Sequence, residues 1–297
     1  MSSRNTFSNW LILLSLTLIW GTSYILIKKG LLVFSPIELA SMRVSISMLV
    51  SLPIVFRAIK IVPFKLYGFV LLTGLFGSLI PAFLFAFSLT HISSSVNGII
   101  NSLSPLFTLL IGVFLFGGST TQQRIIGVLI GFSGAVVLVL FKENGSLNAD
   151  LGWAILPVLA TFCYGMSGNI VKEKLGSQNA LYMTALAMLM IGIPTTFIAL
   201  QTVPAKLQFA EGAWLAFAYV AMLSVFGTFV AWMLYYRLVQ KTDALFASSV
   251  TYLIPLVAVA WGMADGERFS VFQAVGMVLI LWGVWLVTRR ERVAVNS

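Results

Sequence analysis

The second half of this chain repeats its first half at an offset of about 150 residues. Trp20-Gly21-Thr22-Ser23, followed by Lys28, returns as Tyr164-Gly165-Met166-Ser167, followed by Lys172, an offset of 144. Ser104-Pro105-Leu106 returns as Ile254-Pro255-Leu256 at 150, and the glycine pair Gly127 and Gly134 returns as Gly276 and Gly283 at 149. Several matches in one order, with an offset that drifts by only a few residues, mark a duplicated unit. Whatever one half folds into, the other must fold into as well, and the two copies must pack together.

The solvent of that fold follows from composition. With 59% hydrophobic and 9% charged residues and a mean hydropathy of +1.00, too little polar surface remains to cover a water-soluble globule. A helix needs roughly 20 apolar residues to cross a hydrocarbon core of about 30 Å. Ten stretches satisfy this, near 10–27, 37–56, 67–87, 96–115, 125–141, 151–170, 181–200, 213–236, 244–263 and 271–287. They are too long and too evenly apolar for barrel strands of about 10 alternating residues. The expected fold is an all-α integral membrane protein of ten transmembrane helices in two five-helix repeats, 10–141 and 151–288. The first stretch runs through Trp20 and Tyr24 into Lys28-Lys29 without a small-x-small cleavage site, so it reads as a helix of the mature protein.

The net charge of +9 is spread over loops and tail with no dense patch, so no nucleic-acid partner is expected. Its distribution is a topology signal. With a cytoplasmic N-terminus, the inner segments hold Arg4, Arg57, Lys60, Lys65, Arg124, Lys172, Lys174, Arg237, Lys241, Arg289, Arg290 and Arg292, twelve in all. The outer loops hold five: Lys28, Lys29, Lys142, Lys206 and Arg268. The positive-inside rule then places both termini in the cytoplasm. Because five is odd, the second repeat enters the membrane from the opposite side. Such inverted repeats recur in secondary transporters, with substrate bound near the midplane where the halves meet.

Ten helices as five plus five, Trp20-Gly21-Thr22-Ser23 in the first, Arg43 in the second, and Pro105-Leu106 and Pro255-Leu256 in the fourth and ninth resemble the EamA-like branch of the drug/metabolite transporter superfamily. The likeness covers nearly the whole chain and lies in the arrangement of short motifs. It implies a transporter of the cell membrane, bacterial cytoplasmic membrane above all, that exports amino acids, other small metabolites or toxic compounds and has no ATPase activity. The repeats are not chemically equivalent: at offset 144, Arg43 corresponds to Ala187 and Thr22 to Met166, so an asymmetric pathway is expected.

Several side chains are candidates for that pathway. Asn97, Asn101, Ser104 and Thr108 fall at i, i+4, i+7 and i+11, one face of a helix. Serine and threonine commonly bond their own backbone. An asparagine amide needs a partner or water, so Asn97 and Asn101 either line a cavity or bond a neighbouring helix. Thr17, Trp20 and Tyr24 share a face of the first helix, with Thr22 and Ser23 beside them, and Thr161, Tyr164 and Ser167 or Gly168 repeat the pattern. Aromatics this deep either wall a site for an amphipathic substrate or simply pack. Tyr235 and Tyr236, with Trp232, and Tyr252 extend the aromatic set. Pro81, Pro105 and Pro255 each delete a backbone hydrogen bond, giving hinges or kinks that border a site or merely bend a helix. Arg43, six residues into the second helix, costs on the order of 3 kcal/mol at a bilayer centre. It reads as a substrate or gating residue, a donor to freed carbonyls of a neighbouring helix, or a side chain that snorkels.

Other chemistry has little support. All nine acidic residues, Glu38, Glu143, Asp150, Glu173, Glu211, Asp243, Asp265, Glu267 and Glu291, fall in loops or near helix ends, which disfavours a proton-coupled exporter of lipophilic cations. His91 is expected as a solvated loop residue, and Cys163 as inert packing. One histidine and one cysteine imply no metal site, the absence of a Gly-Lys dipeptide excludes a P-loop, and no cofactor or catalytic residue is expected. Asn144-Gly145-Ser146 matches a glycosylation sequon. The leading expectation is a secondary transporter, sensibly a monomer, that exports a small metabolite of amino-acid type by alternating access. The alternatives are a multidrug exporter, with Met166, Met183, Met188 and Met190 as an adaptable lining, and a non-transporting receptor or assembly subunit.

Overall fold

The computed structural model describes residues 7–91, 94–140, 152–264 and 271–288, and among them every regular element is helical. Helices α1 (Phe7–Gly30), α2 (Pro36–Ile61), α3 (Phe64–Ser88), α8 (Ala180–Phe209) and α9 (Ala213–Lys241) are long and apolar enough to cross a membrane. Between and after them lie α4 (Ser94–Asn101), α5 (Ser104–Phe114), α6 (Gln122–Leu140), α7 (Ile155–Lys174), α10 (Ala244–Ser248), α11 (Val250–Ala264) and α12 (Val271–Thr288). Arg4, Lys142, Glu143, the Asn144-Gly145-Ser146 sequon, Asp150, Asp265, Glu267, Arg268, Arg289, Arg290, Glu291 and Arg292 lie outside the described residues.

Local chemistry sets several helix starts. Ser35 and Glu38 form a capping box on α2, with Pro36 in the first turn. Asn179 caps α8 by accepting from the Leu181 amide, and Asp243 caps α10 by accepting from the Phe246 amide at 2.7 Å. Glu38 also takes Lys206 Nζ at 2.6 Å. Lys206 therefore stands in the last turns of α8, which runs past the expected end near 200 and accommodates both Pro194 and Pro204.

Two stretches expected as single helices are broken. The segment near 96–115 divides at Ser102–Leu103 and the one near 244–263 at Ser249. Proline explains where backbone acceptors come free, because its missing N–H orphans the carbonyl four residues earlier. For Pro105 that is Asn101, whose carbonyl accepts from Ser104 Oγ at 2.7 Å. For Pro255 it is Thr251, whose carbonyl accepts from Ser102 Oγ of the other half at 3.5 Å. The long helices α3 and α9 carry a second irregularity, a wide π-turn over Leu75–Leu79 and Val225–Val230, again one repeat apart. Pro81 follows the first turn, but no proline follows the second. What the turns share is a central glycine against which a serine of the opposite half packs. A Cβ on Gly77 would lie 2.8 Å from Ser167 Oγ, and one on Gly227 would lie 2.7 Å from Ser23 Oγ.

The two most extensive helix contacts are α2 with α8 and α6 with α12, each joining equivalent helices of the two repeats. In the first pair Ser45 Oγ reaches Thr195 Oγ1 at 3.2 Å and Ser51 Oγ reaches the Ala185 carbonyl at 3.5 Å, so the helices run in opposite directions. In the second, a Cβ on Gly127 would meet the Gly283 carbonyl at 3.0 Å, and one on Gly134 would meet the Gly276 carbonyl at 2.8 Å. The repeated glycines of the sequence thus face one another, which lets two backbones approach closely without help from a hydrophobic effect that lipid does not supply. Gly283 is the tightest point, since an added Cβ would sit 2.4 Å from the Gly131 backbone nitrogen. Gly283→Ala is expected to cost about 3 kcal/mol, the upper end for overpacking against atoms that cannot rotate away. A thermal unfolding midpoint in detergent equal to that of the wild type would contradict this packing.

Candidate functional site

The broken helices and the two helices that carry π-turns contribute to one cavity. It is lined by Trp20, Ser23, Tyr24 and Ile27 of α1, Arg43 of α2, Phe85 of α3, Asn101 of α4, Ser104 of α5, Tyr164 of α7, Trp232 and Tyr235 of α9, Ser248 of α10, and Thr251 and Ile254 of α11. Both repeats contribute: α3, α9 and the two broken segments depart from regular α-helix, while α1, α2 and α7 are continuous.

The wall is chiefly aromatic. Trp20 lies 5.5 Å from Trp232 and 5.6 Å from Tyr235, centroid to centroid, and Tyr164 lies 5.5 Å from Trp232. Phe85 stacks on Tyr164 at 6.0 Å and meets Tyr24 edge-on at 6.3 Å. Rings in such tilted and edge-to-face pairs hold their positions and present flat apolar surface with a few hydroxyl and indole donors. The polar side is built at the helix breaks: Asn101 Oδ1 accepts from Ser104 Oγ at 3.3 Å, while Ser248 and Thr251 bond backbone carbonyls of their own segment.

Arg43 supplies the charge. Only 8% exposed, it donates from Nε to Thr228 Oγ1 at 2.6 Å and from Nη2 to the Gly227 carbonyl at 3.3 Å, while Trp20 Nε1 donates to the same carbonyl at 3.0 Å. Among the described residues no carboxylate pairs with Arg43; Glu38 pairs with Lys206 and Asp243 with Arg124. A guanidinium has five N–H donors, and two of them suffice for these contacts. Of the three readings of Arg43 from sequence, the geometry includes donation to carbonyls of a neighbouring helix, together with a position on the cavity wall; the side chain does not snorkel.

Of the sequence candidates, Trp20, Ser23, Tyr24, Arg43, Asn101, Ser104, Tyr164, Trp232 and Tyr235 come together on the cavity. The others lie off it. Asn97 Oδ1 accepts from Ser88 Oγ at 2.9 Å, tying α4 to α3. Ser167 and Tyr236 both donate to the Thr73 carbonyl, at 3.3 and 3.0 Å, beside the first π-turn. Tyr252 donates to the Val128 carbonyl at 2.9 Å, its ring held against Gly131. Thr22 is half-buried, Thr17 and Thr161 bond their own helices, and Thr108 bonds the Ser104 carbonyl. The break in the fourth stretch separates Asn97 and Asn101 from Ser104 and Thr108, so the four do not form one continuous helical face. Met183 and Met188 are fully buried in the core, and neither they nor Met166 and Met190 line the cavity. His91 is exposed and stacks on Trp153 at 3.6 Å; Cys163 is buried. Among the described residues no cluster of His, Cys, Asp or Glu has the makings of a metal site.

Ile27, Phe85, Ser248, Thr251 and Ile254 are lining residues that the sequence reading passed over. For two of them a signal existed. Thr251 and Ile254 are the repeat mates of Asn101 and Ser104 at the offset of 150 that pairs Pro105 with Pro255.

Comparison with known proteins places this architecture. The model of the EamA-like transporter family matches residues 8–140 and again 151–289. A transporter of Archaeoglobus fulgidus is 24% identical over 95% of this chain and 99% of its own length. The inner membrane transporter YedA of Escherichia coli K12 is 26% identical over 93% and 89%. A probable amino-acid metabolite efflux pump of the same bacterium is 25% identical over 92% of each chain. A solved crystal structure shares the fold with a TM-score of 0.72 over 96% of this chain and 97% of that one, at 18% identity.

Proposed function

We propose that this chain, which belongs to the EamA-like transporter family, is a secondary transporter that exports small metabolites of amino-acid type across the cytoplasmic membrane by alternating access. In this reading ten spans form two inverted groups of five, 10–141 and 151–288, both termini are cytoplasmic, and a single chain encloses the pathway. Antiparallel pairing of α2 with α8 and of α6 with α12 supports the inversion, and the basic residues support the orientation. The likeness to a probable amino-acid metabolite efflux pump supports the substrate class.

The observation that carries the proposal is the composition of the cavity. One buried guanidinium without a carboxylate partner among the described residues stands beside rings from both repeats and a polar ledge formed by Asn101, Ser104, Ser248 and Thr251. A substrate with a carboxylate would compensate the arginine, which is far more effective in a low-dielectric cavity than in water. Its apolar part would lie against the rings, and an ammonium or hydroxyl would meet the ledge. In an inverted-repeat carrier, rocking of one half against the other opens such a site first to one face and then to the other.

The test is counterflow in proteoliposomes with a panel of labelled amino acids and cationic dyes, comparing the wild type with Asn101→Ala. Saturable amino-acid exchange, reduced about tenfold in the variant by loss of a buried hydrogen-bonding group, is the expected result. Dye flux alone would replace this reading with a multidrug exporter, and intact exchange by the variant would move the site away from the ledge.

A further inference from the structure

The two π-turns share a backbone but not their surroundings. At the turn in α9, Arg43 donates from Nε to Thr228 Oγ1 at 2.6 Å and from Nη2 to the Gly227 carbonyl at 3.3 Å. The Thr228 hydroxyl donates onward to the Leu223 carbonyl at 3.4 Å. In α3 the matching turn has Ser78 where α9 has Thr228, and Ala187 occupies the repeat position of Arg43. The Ser78 hydroxyl is buried with no hydrogen-bond partner among the described residues. The turn over Leu75–Leu79 therefore forms with no arginine to serve it. A contact that one copy of the fold dispenses with is not required by the fold, yet it holds a charge whose burial within a membrane protein is costly.

The edge of the guanidinium that is engaged has a particular shape. Nε and Nη2 form one of the two parallel-donor faces that arginine presents to a carboxylate, and bidentate pairing on such a face is its strongest mode of recognition. Gly227 and Thr228 offer two neutral oxygens to that face. A carboxylate brings opposite charge and two oxygens in one rigid group, and is the stronger partner for that face.

The geometry points to Gly227 and Thr228 as an internal stand-in for the substrate carboxylate: they occupy the bidentate face of Arg43, and an entering carboxylate takes that face from them. The inference rests on the transport reading above and deepens it by naming the residues that set affinity and coupling. Arg43 belongs to the first repeat and the turn to the second, so the exchange cuts a tether between the halves as substrate binds. Gly227 keeps the Trp20 indole and Thr228 keeps Leu223, so the turn survives, and of the α2–α9 hydrogen bonds only the one from Ser47 Oγ to the Ser224 carbonyl, 2.8 Å, is left among the described residues. Thr228 is thus a positioning residue. It competes with substrate for Arg43, and removing its hydroxyl raises carboxylate affinity without touching the rest of the cavity.

Counterflow with the amino acid that the wild type exchanges fastest, using its carboxamide as a competitor without a carboxylate, reads this directly. Thr228→Val is expected to lower KM for the amino acid about three- to tenfold, the effect of losing one competing hydrogen bond, and to leave inhibition by the carboxamide unchanged. Thr228→Ser is expected to restore the wild-type KM. If Thr228→Val does not reconstitute, Thr228→Ala against Thr228→Ser carries the same comparison. An unchanged or raised KM, or equal shifts for acid and amide, would overturn the competition while leaving the transporter reading intact. Failure of the wild type to exchange any amino acid would overturn both.

Discussion

Arg43→Gln is expected to lower Vmax/KM for a carboxylate-bearing substrate on the order of 100-fold while changing inhibition by the matching carboxamide less than about threefold. The buried guanidinium lines the cavity beside Trp20 and Tyr164, and no described carboxylate pairs with it. Removing one member of a buried, hydrogen-bonded charge pair costs roughly 2–5 kcal/mol, much of it from leaving the other charge unpaired. In the variant that stranded charge is the substrate's. Glutamine retains an amide donor for Thr228 Oγ1 or the Gly227 carbonyl, so the turn in α9 keeps a partner and the protein is expected to fold. The acid/amide comparison separates recognition from mere support. Equal losses for both compounds would make Arg43 a structural residue and remove the carboxylate from the account.

Oxidising a Ser23→Cys/Gly227→Cys pair in a Cys163→Ala background is expected to stop exchange, with activity at least about tenfold below the reduced protein and regained on adding dithiothreitol. A Cβ built on Gly227 lies 3.8 Å from Ser23 Cβ, within the roughly 3.5–4.5 Å span of natural disulfides. The bond would join α1 to α9 across the seam between the repeats, next to the carbonyl that Trp20 and Arg43 share. Alternating access requires the halves to move against each other, so a covalent tie at this seam should arrest the cycle in one orientation. Exchange by the oxidised protein at the reduced rate would show that the seam stays closed throughout transport, and the moving surface would have to be sought elsewhere.

How much of this was legible in the sequence depended on the range of each signal. The duplication was legible because it survives as matched residues, and the glycines that reported it, Gly127 and Gly134 against Gly276 and Gly283, turn out to face each other in α6 and α12. Arg43 was legible as an anomaly, since a charge within an apolar stretch stands out. Its partners were not: Thr228 is 185 residues away, and nothing in the spacing of either points to the other. The break at Ser102–Leu103 was hidden because Asn97, Asn101, Ser104 and Thr108 fit an uninterrupted helical period. The π-turns were hidden for a similar reason, since widening one turn by a residue leaves composition and hydropathy unchanged. Tyr252 and Tyr236 looked like Tyr235 in sequence, and only packing sends the first to Val128 and the second to Thr73 while the third meets the cavity. Thr251 and Ile254 were recoverable by carrying the repeat through the ninth stretch at its own offset of 150.

The most direct test of the central claim, that the cavity between the repeats is the substrate's path, is alkylation of Thr251→Cys in a Cys163→Ala background by a small membrane-impermeant maleimide. Thr251 lines the cavity, and its hydroxyl bonds the Ser248 carbonyl one turn back in its own segment, so cysteine replaces it with little change in shape. The account predicts that saturating amounts of a transported amino acid slow labelling, with half-protection at a concentration matching the transport KM, and that its carboxamide protects far less well. Labelling at one rate, whether or not a compound the protein carries is present, would contradict it.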